Sequence, residues 1–416
     1  MGAPVAGGSY PQDVRFRTGR SGHPRTCPLG HHGAVDVATG RTRTRGWRAA
    51  VASLALALAA TTSIVAVPDV AAAQTAGDVV YDGSPDRLDG SIYRLYRAFF
   101  LREPDADGLA HWLVQARYAR YPVAAVADDF ARSAEFRGRY GSLDDGAFID
   151  LVYRNVFERA ADAGGRAYWL DHLRRGMSRG HLMVHFSDSV EFARKVGAGP
   201  FGRRDFRGPA QPPPSAPAGS WAYLDPTADA GRPAGWARCR PVYVLSNPAG
   251  IPSGEHADFA AMLRYALDAV SAATGQDWVH LGRTAFRAVD ATSIDRRRGV
   301  VTISFMSAPD PNDEAAAWAN TPVPTWNPVA GAVTYPYGSV NLNANNLVNA
   351  AGGEVTPLVA TTLMHELGHI AGLDHVADRR QLMSAVYEAP PQPTYEQYRD
   401  GDRAGLARVG SVTTAC

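Results

Sequence analysis

Three histidines and one glutamate carry the clearest chemistry in this chain of 416 residues. They stand together in His365-Glu366-Leu367-Gly368-His369-Ile370-Ala371-Gly372-Leu373-Asp374-His375. Residues four apart on an α-helix lie one above the other, about one turn apart, so His365 and His369 can aim imidazole nitrogens at a single metal ion. Glu366 lies about 100° further round, where its carboxylate can reach a water on that metal without ligating the metal itself. Gly372 can take the left-handed conformation that ends a helix, and the turned chain then returns His375 as a third ligand. Three nitrogens leave a fourth position open, which separates a catalytic zinc from a structural one. Water held there becomes a nucleophile near neutral pH, and Glu366 is the natural general base, taking the proton and handing it to a leaving amine.

The apolar helical run Leu358–Met364 leads into this stretch, and Leu382-Met383 follows His375 by eight residues. Together they resemble the zinc-binding segment of the metzincin peptidases, and of the matrixins in particular, over roughly Cys239 to Gly410. The resemblance implies an α+β domain with a twisted mixed sheet and an active-site helix, a Zn2+ cofactor, and protein or peptide substrates. It makes Met383 the methionine beneath the metal, gives Gly372 a structural role, and puts Tyr387 at the wall of a substrate pocket. The sequence departs from the matrixin pattern at Val376, where a serine is usual, and at Ala385, where a proline is. Val340-Asn341-Leu342-Asn343 alternates just before the helix, and the resemblance implies an edge strand there that pairs with an extended substrate, with Asn341 and Leu342 in the pocket. Val242–Leu245 and Val300–Phe305 read as strands, and His256–Ala273 as an amphipathic helix ended by Gly275. The acidic loop Asp310–Glu314 offers either a Ca2+ site or a solvated turn. His181 and His185 also sit four apart, but no third ligand accompanies them, so helix packing is expected.

The zinc helix needs a scaffold, and the chain upstream of it is built differently. Tyr96-Arg97, Phe100, Arg102, Asp105, Gly108, Trp112-Leu113 and Glu135-Phe136 recur as Tyr153-Arg154, Phe157, Arg159, Asp162, Gly165, Trp169-Leu170 and Glu191-Phe192. Such self-similarity marks two tandem units, each reading as helix, turn, helix, helix. They resemble the helical modules called domain of unknown function 4214, which implies an all-α region with Trp112 and Trp169 as core anchors. The aspartates suit helix caps better than an EF-hand register. From Pro200 to Pro233 the composition turns to Gly, Pro, Ala and Ser, as in an extended connector. The expected organisation is therefore multidomain: a basic region and leader over 1–73, an all-α tandem-repeat domain over 80–198, a linker over 199–235, and an α+β catalytic domain over 236–416.

The near balance of charge, +1 overall, gives no support to nucleic acid as a partner. In the first fifty residues the Arg-rich sequence shows no apolar period and predicts no element. Ala49–Val67 is small or apolar and uncharged, and Ala71-Ala72-Ala73 follows, as in an export signal cut before Gln74. A secreted protein without stable membrane insertion is then expected, a monomer, with the repeats available for cell-surface or matrix association. Cleavage would remove Cys27 and leave Cys239 and Cys416 as the pair for one disulfide. The alternative is an exported surface- or polymer-binding protein whose repeats carry the function and whose peptidase domain acts only on itself.

Overall fold

The computed structural model of the protein describes residues 13–18, 85–197, 199–201, 220–225, 233–237, 240–287, 297–306, 315–321, 324–327, 332–388 and 395–409. The expected leader, all three cysteines and the acidic loop 310–314 lie outside them. Among the described residues no helix is long and apolar enough to cross a membrane.

The repeats form eight helices: α1 (Pro85–Phe100), α2 (Ala106–Tyr118), α3 (Val123–Arg132), α4 (Ala134–Tyr140), α5 (Asp145–Phe157), α6 (Ala163–Arg174), α7 (Arg179–Ser187) and α8 (Val190–Val196). Each unit thus has four helices rather than the three expected. The extra break falls at Ser133 and at Ser189, whose hydroxyls accept from the N–H groups of Phe136 and Phe192 and start a new helix. Asp105 and Asp162 cap α2 and α6 in the same way, accepting from the N–H of Gly108 and Gly165. Capping therefore accounts for both aspartates. Arg102 and Arg159 lie over the paired rings Tyr96/Phe100 and Tyr153/Phe157, so the sequence repeat is also a repeat of contacts. Trp169 is buried and Trp112 half-buried against Phe130, as core anchors should be. The two units interlock through α3 and α7. Gly180 permits this, because a Cβ there would collide with the Ala124 carbonyl oxygen, and its N–H instead donates to Asp128 Oδ1 at 2.7 Å.

The C-terminal half is a seven-stranded mixed sheet. In chain order its strands are β1 (Asp13–Thr18), β3 (Val242–Asn247), β4 (Trp278–Arg283), β5 (Val300–Met306), β6 (Ala315–Asn320), β9 (Gly338–Asn343) and β11 (Val386–Glu388). They lie side by side as β11-β1-β6-β9-β5-β3-β4. The pairs β2 (Ala222–Tyr223) with β10 (Leu373–Asp374), and β7 (Thr325–Asn327) with β8 (Ala332–Thr334), stand apart. Helices α9 (His256–Thr274) and α11 (Pro357–Ala371) pack together on one face of the sheet; α10 (Ala344–Leu347) and α12 (Asp400–Val409) complete the domain. Val244, Ile303, Phe305, Val340 and Leu342 point into this helix-covered core. The alternate residues Tyr243, Leu245 and Val300 join Leu281 in one apolar cluster with Ile92, Leu95, Leu109 and Leu113 of the repeats. The period-2 alternation of a strand thus gives one side of the sheet to the zinc helix and the other to the repeats.

Three further expectations change. Residues 13–18, read as featureless, form β1; a six-residue strand has no stability of its own and exists here because β6 and β11 flank it. Strand β9 is internal, paired with β5 on one side and β6 on the other, so Asn341 and Leu342 are fully buried and offer no free edge to a substrate. The strand next to the helix on that side is β6. Finally, part of the composition-defined linker is folded into the catalytic domain: Ala222–Tyr223 pairs with Leu373–Asp374, and Ala234 is buried in its core.

Polar contacts lock the repeats to the sheet. Asp89 of α1 and Arg117 of α2 form a buried ion pair at 2.7 Å, and the Tyr243 hydroxyl donates to the same carboxylate at 2.9 Å. Asp107 accepts from Thr284 Oγ1 at 2.9 Å and from Arg297, whose guanidinium also reaches the Asp107 carbonyl.

Candidate metal centre

Helix α11 begins at Pro357, whose missing N–H costs nothing in a first turn, and is buried through nearly its whole length. It ends at Gly372, with φ at 123°, where a Cβ would also press on the Ala234 carbonyl. Trp236 Nε1 donates to the Ile370 carbonyl at 2.7 Å, satisfying an acceptor that the helix end leaves open. The chain then turns into β10 and delivers His375, whose N–H is held by Asp374 Oδ1 at 2.8 Å.

The turn brings the three expected ligands together. His365 Nε2 lies 3.0 Å from His369 Nε2 and 3.2 Å from His375 Nε2, and the remaining pair is 3.2 Å apart. Three nitrogens bound to one tetrahedral zinc at about 2.0–2.1 Å would stand about 3.3 Å from one another, so the spacing fits the ion. The outer nitrogens agree. His365 Nδ1 faces the Leu382 carbonyl at 2.6 Å and His369 Nδ1 faces the Leu373 carbonyl at 2.8 Å. A carbonyl oxygen only accepts, so both Nδ1 atoms carry the hydrogen and both Nε2 atoms present lone pairs to each other. Two lone pairs at 3.0 Å repel unless a cation lies between them. Burial first, and then the neighbouring imidazoles, hold His365 well below the usual histidine range and bring His369 to about 3; burial also lowers His375. All three rings are thereby kept neutral, the form that ligates. Among the described residues this is the one cluster of at least three such side chains able to share an ion.

Glu366 is fully buried, and neither carboxylate oxygen has a hydrogen-bond partner. Burial pushes its carboxyl well above the ordinary range, and the Ala319 backbone of β6 offsets part of that rise without meeting hydrogen-bond geometry. A buried carboxyl group left without partners is unusual, because its desolvation goes uncompensated. It is suited to exchange a proton with a water or substrate group that enters beside it.

Met383 is buried under the helix. A Cβ on Gly368 would collide with its sulfur, so the glycine between the two helical ligands is required by the methionine beneath them. The backbone of Tyr387 lies in β11, four residues past Met383, paired with Val14. Asn341 and Leu342 are not part of this assembly.

Three contributors escaped the sequence reading. Asp402, at the start of α12, accepts from the backbone N–H of Leu382 at 2.8 Å, Met383 at 3.1 Å and Arg399 at 2.9 Å. It therefore clamps the turn whose Leu382 carbonyl orients His365. Burial raises its pKa, against the pull of those three donors. Gln381 ties the same turn to α12 through the N–H groups of Gly401 and Asp402. Tyr398 donates to the Met364 carbonyl at 2.6 Å, fixing α11 one residue before its first ligand. The only sequence signal for Asp402 is an acidic residue in the first turn of a helix, which ordinarily reads as a dipole effect.

His181 and His185 are stacked on α7 with Trp169 beside them, a packing arrangement as expected. His280 of β4 is paired with Ser246 Oγ at 3.0 Å and is remote from the cluster in sequence and strand order.

The model of the matrixin family of peptidases matches residues 283–409, and that of domain of unknown function 4214 matches residues 127–196. The order is that of helical repeats followed by a matrixin-type domain, and the match marks the C-terminal region as that of a zinc metallopeptidase. No curated protein matches the chain.

Proposed function

We propose, with a matrixin-type domain over residues 283–409 as the premise, that this chain is an exported zinc-dependent endopeptidase that cuts polypeptides internally. The observation that carries the reading is the convergence of three Nε2 lone pairs within 3.0–3.2 Å of one another, beside a buried carboxyl group that has no other partner. His365, His369 and His375 would hold the zinc. Bound there, the metal supplies Lewis acidity toward a water and toward the scissile carbonyl.

The remaining work falls to the chain. Glu366 takes a proton from the attacking water and returns it to the departing amine, so no covalent enzyme intermediate is needed. Its raised pKa matches this traffic, since a carboxyl that is too acidic would not hold the proton long enough to deliver it. Leu382 and Leu373 keep two imidazoles in the ligating tautomer through their carbonyls, and Met383 with Gly368 seats the helix. The backbones of β6 and β11 flank a slot that accepts an extended strand, which supports a polypeptide substrate gripped through its main chain. Export rests on the leader-like stretch ending at Ala73.

The test is Glu366→Ala beside the wild-type chain. Both should bind one zinc, measured by elemental analysis, while hydrolysis of a mixed peptide library should vanish in the variant and in wild type treated with a chelator. Wild-type protein that binds no zinc, or a variant that still cleaves at the wild-type rate, would refute the reading.

A further inference from the structure

Thr362 stands on the face of α11 that carries the chemistry. At about 100° per residue, His365, His369, Thr362 and Glu366 fall within an arc of about 100°, and Thr362 lies about 4.5 Å before His365 and about 6 Å before Glu366 along the axis. Its side chain is fully buried, and its hydroxyl has no hydrogen-bond partner. A threonine inside a helix ordinarily returns its hydroxyl to the carbonyl four residues back. Two others in this domain do so: Thr361 Oγ1 donates to the Pro357 carbonyl at 3.3 Å, and Thr274 Oγ1 to the Val270 carbonyl at 2.7 Å. Thr362 does not. A valine of the same shape would fill the position without leaving a buried polar atom unpaired, so the hydroxyl calls for a partner from outside the fold. Strand β6 turns small side chains toward this helix. Ala317 and Ala319 lie opposite Leu342 and Val340, which point into the helix-covered core, so both alanines face the same way.

We propose that Thr362 determines specificity: its hydroxyl is the hydrogen-bonding floor of the pocket beside the metal centre, and it selects a substrate residue next to the cleaved bond whose side chain ends in a neutral amide. The proposal rests on the peptidase reading for its substrate, but not for the unpaired hydroxyl. Charge and length single out the amide. A carboxylate would enter beside Glu366 and be repelled, and an ammonium would draw the Glu366 carboxylate away from the attacking water. A neutral amide does neither, and it offers both a donor and an acceptor to the hydroxyl. The distance from Thr362 to the ligands is about one helical turn, 5.4 Å, a span that a glutamine side chain covers and a serine side chain does not. An aliphatic side chain of similar length fills the pocket but leaves the hydroxyl unpaired.

The test uses zinc-loaded full-length protein, wild type and Thr362→Val, with otherwise identical peptides that carry Gln or Leu at one central position. For each, kcat/KM is measured for cleavage next to that position. Wild type should favour Gln over Leu by about tenfold, and Thr362→Val should bring the ratio to one or below. A substitution that merely disturbed the fold would slow both peptides together. An unchanged ratio therefore overturns the proposal, as does a wild-type preference for Leu. Thermal melting without peptide is the second readout. Thr362→Val should melt at or above the wild-type temperature, and a clear fall would overturn the proposal by showing that the hydroxyl already has a partner within the fold. If wild type hydrolyses neither peptide, the peptidase reading fails, and the ratio of the Kd values of the uncut peptides, read by fluorescence polarisation in both proteins, decides whether Thr362 selects the amide.

Discussion

Asp402→Ala should weaken the metal site from a distance, and the size of the effect follows from what the carboxylate holds. Its two oxygens accept three backbone N–H groups, those of Leu382, Met383 and Arg399, and the first two are buried. Leaving a buried donor without a partner costs about 1–3 kcal/mol, so with two buried donors the variant should lose about 2–6 kcal/mol of stability. For a domain of this size that is a fall of roughly 5–20 °C in Tm. The consequence for the metal is separate. The Leu382 carbonyl fixes the tautomer and direction of His365, and loosening a partner of that kind typically lowers metal affinity by about 10–100-fold. Competition with a chromogenic chelator measures that affinity, and thermal melting with and without zinc measures the stability. Asp402→Asn keeps one acceptor oxygen and should fall between wild type and Ala on both scales. Zinc affinity unchanged within about twofold in a well-folded Asp402→Ala protein would refute the argument that this residue positions His365.

Further outcomes follow from other contacts. Gly368→Ala puts a methyl group against Met383 Sδ, which should cost about 1–3 kcal/mol and lower zinc affinity, as denaturant titration and chelator competition would show. Arg117→Ala leaves the Asp89 carboxyl buried without its ion-pair partner between the repeats and the sheet, so urea denaturation should show a loss of about 3–5 kcal/mol. The stability of the chain should also decline in acid through His280, which burial brings down to about 4. The unfolded chain takes up this proton as the pH falls through about 6.5. The folded chain resists until about 4, so the contribution is complete above 6.5 and is lost on the way down to 4. It amounts to about 3 kcal/mol, and His280→Gln should flatten the stability profile in that window.

The zinc centre was legible in the sequence because its geometry is local. A four-residue step on a helix, a glycine where the helix must end and a third histidine three residues later determine, by backbone geometry alone, that three imidazoles can meet and that Glu366 stands beside them. The repeats were legible for a similar reason, since capping aspartates and apolar spacings of three and four act within a single helix. The fourth helix of each unit was missed because the break at Ser133 or Ser189 is one hydroxyl long. What only the tertiary structure decided is which elements lie side by side. Alternation in Gly338–Asn343 marks a strand but carries no information about its neighbours, so the sequence could not tell that β9 is internal and that β6 faces the slot. Asp402 likewise looks like any acidic residue opening a helix until the Met383 turn is folded against it. The six residues of β1 became a strand only through partners about 300 and 370 positions away, because backbone pairing depends on proximity that the linear order does not encode.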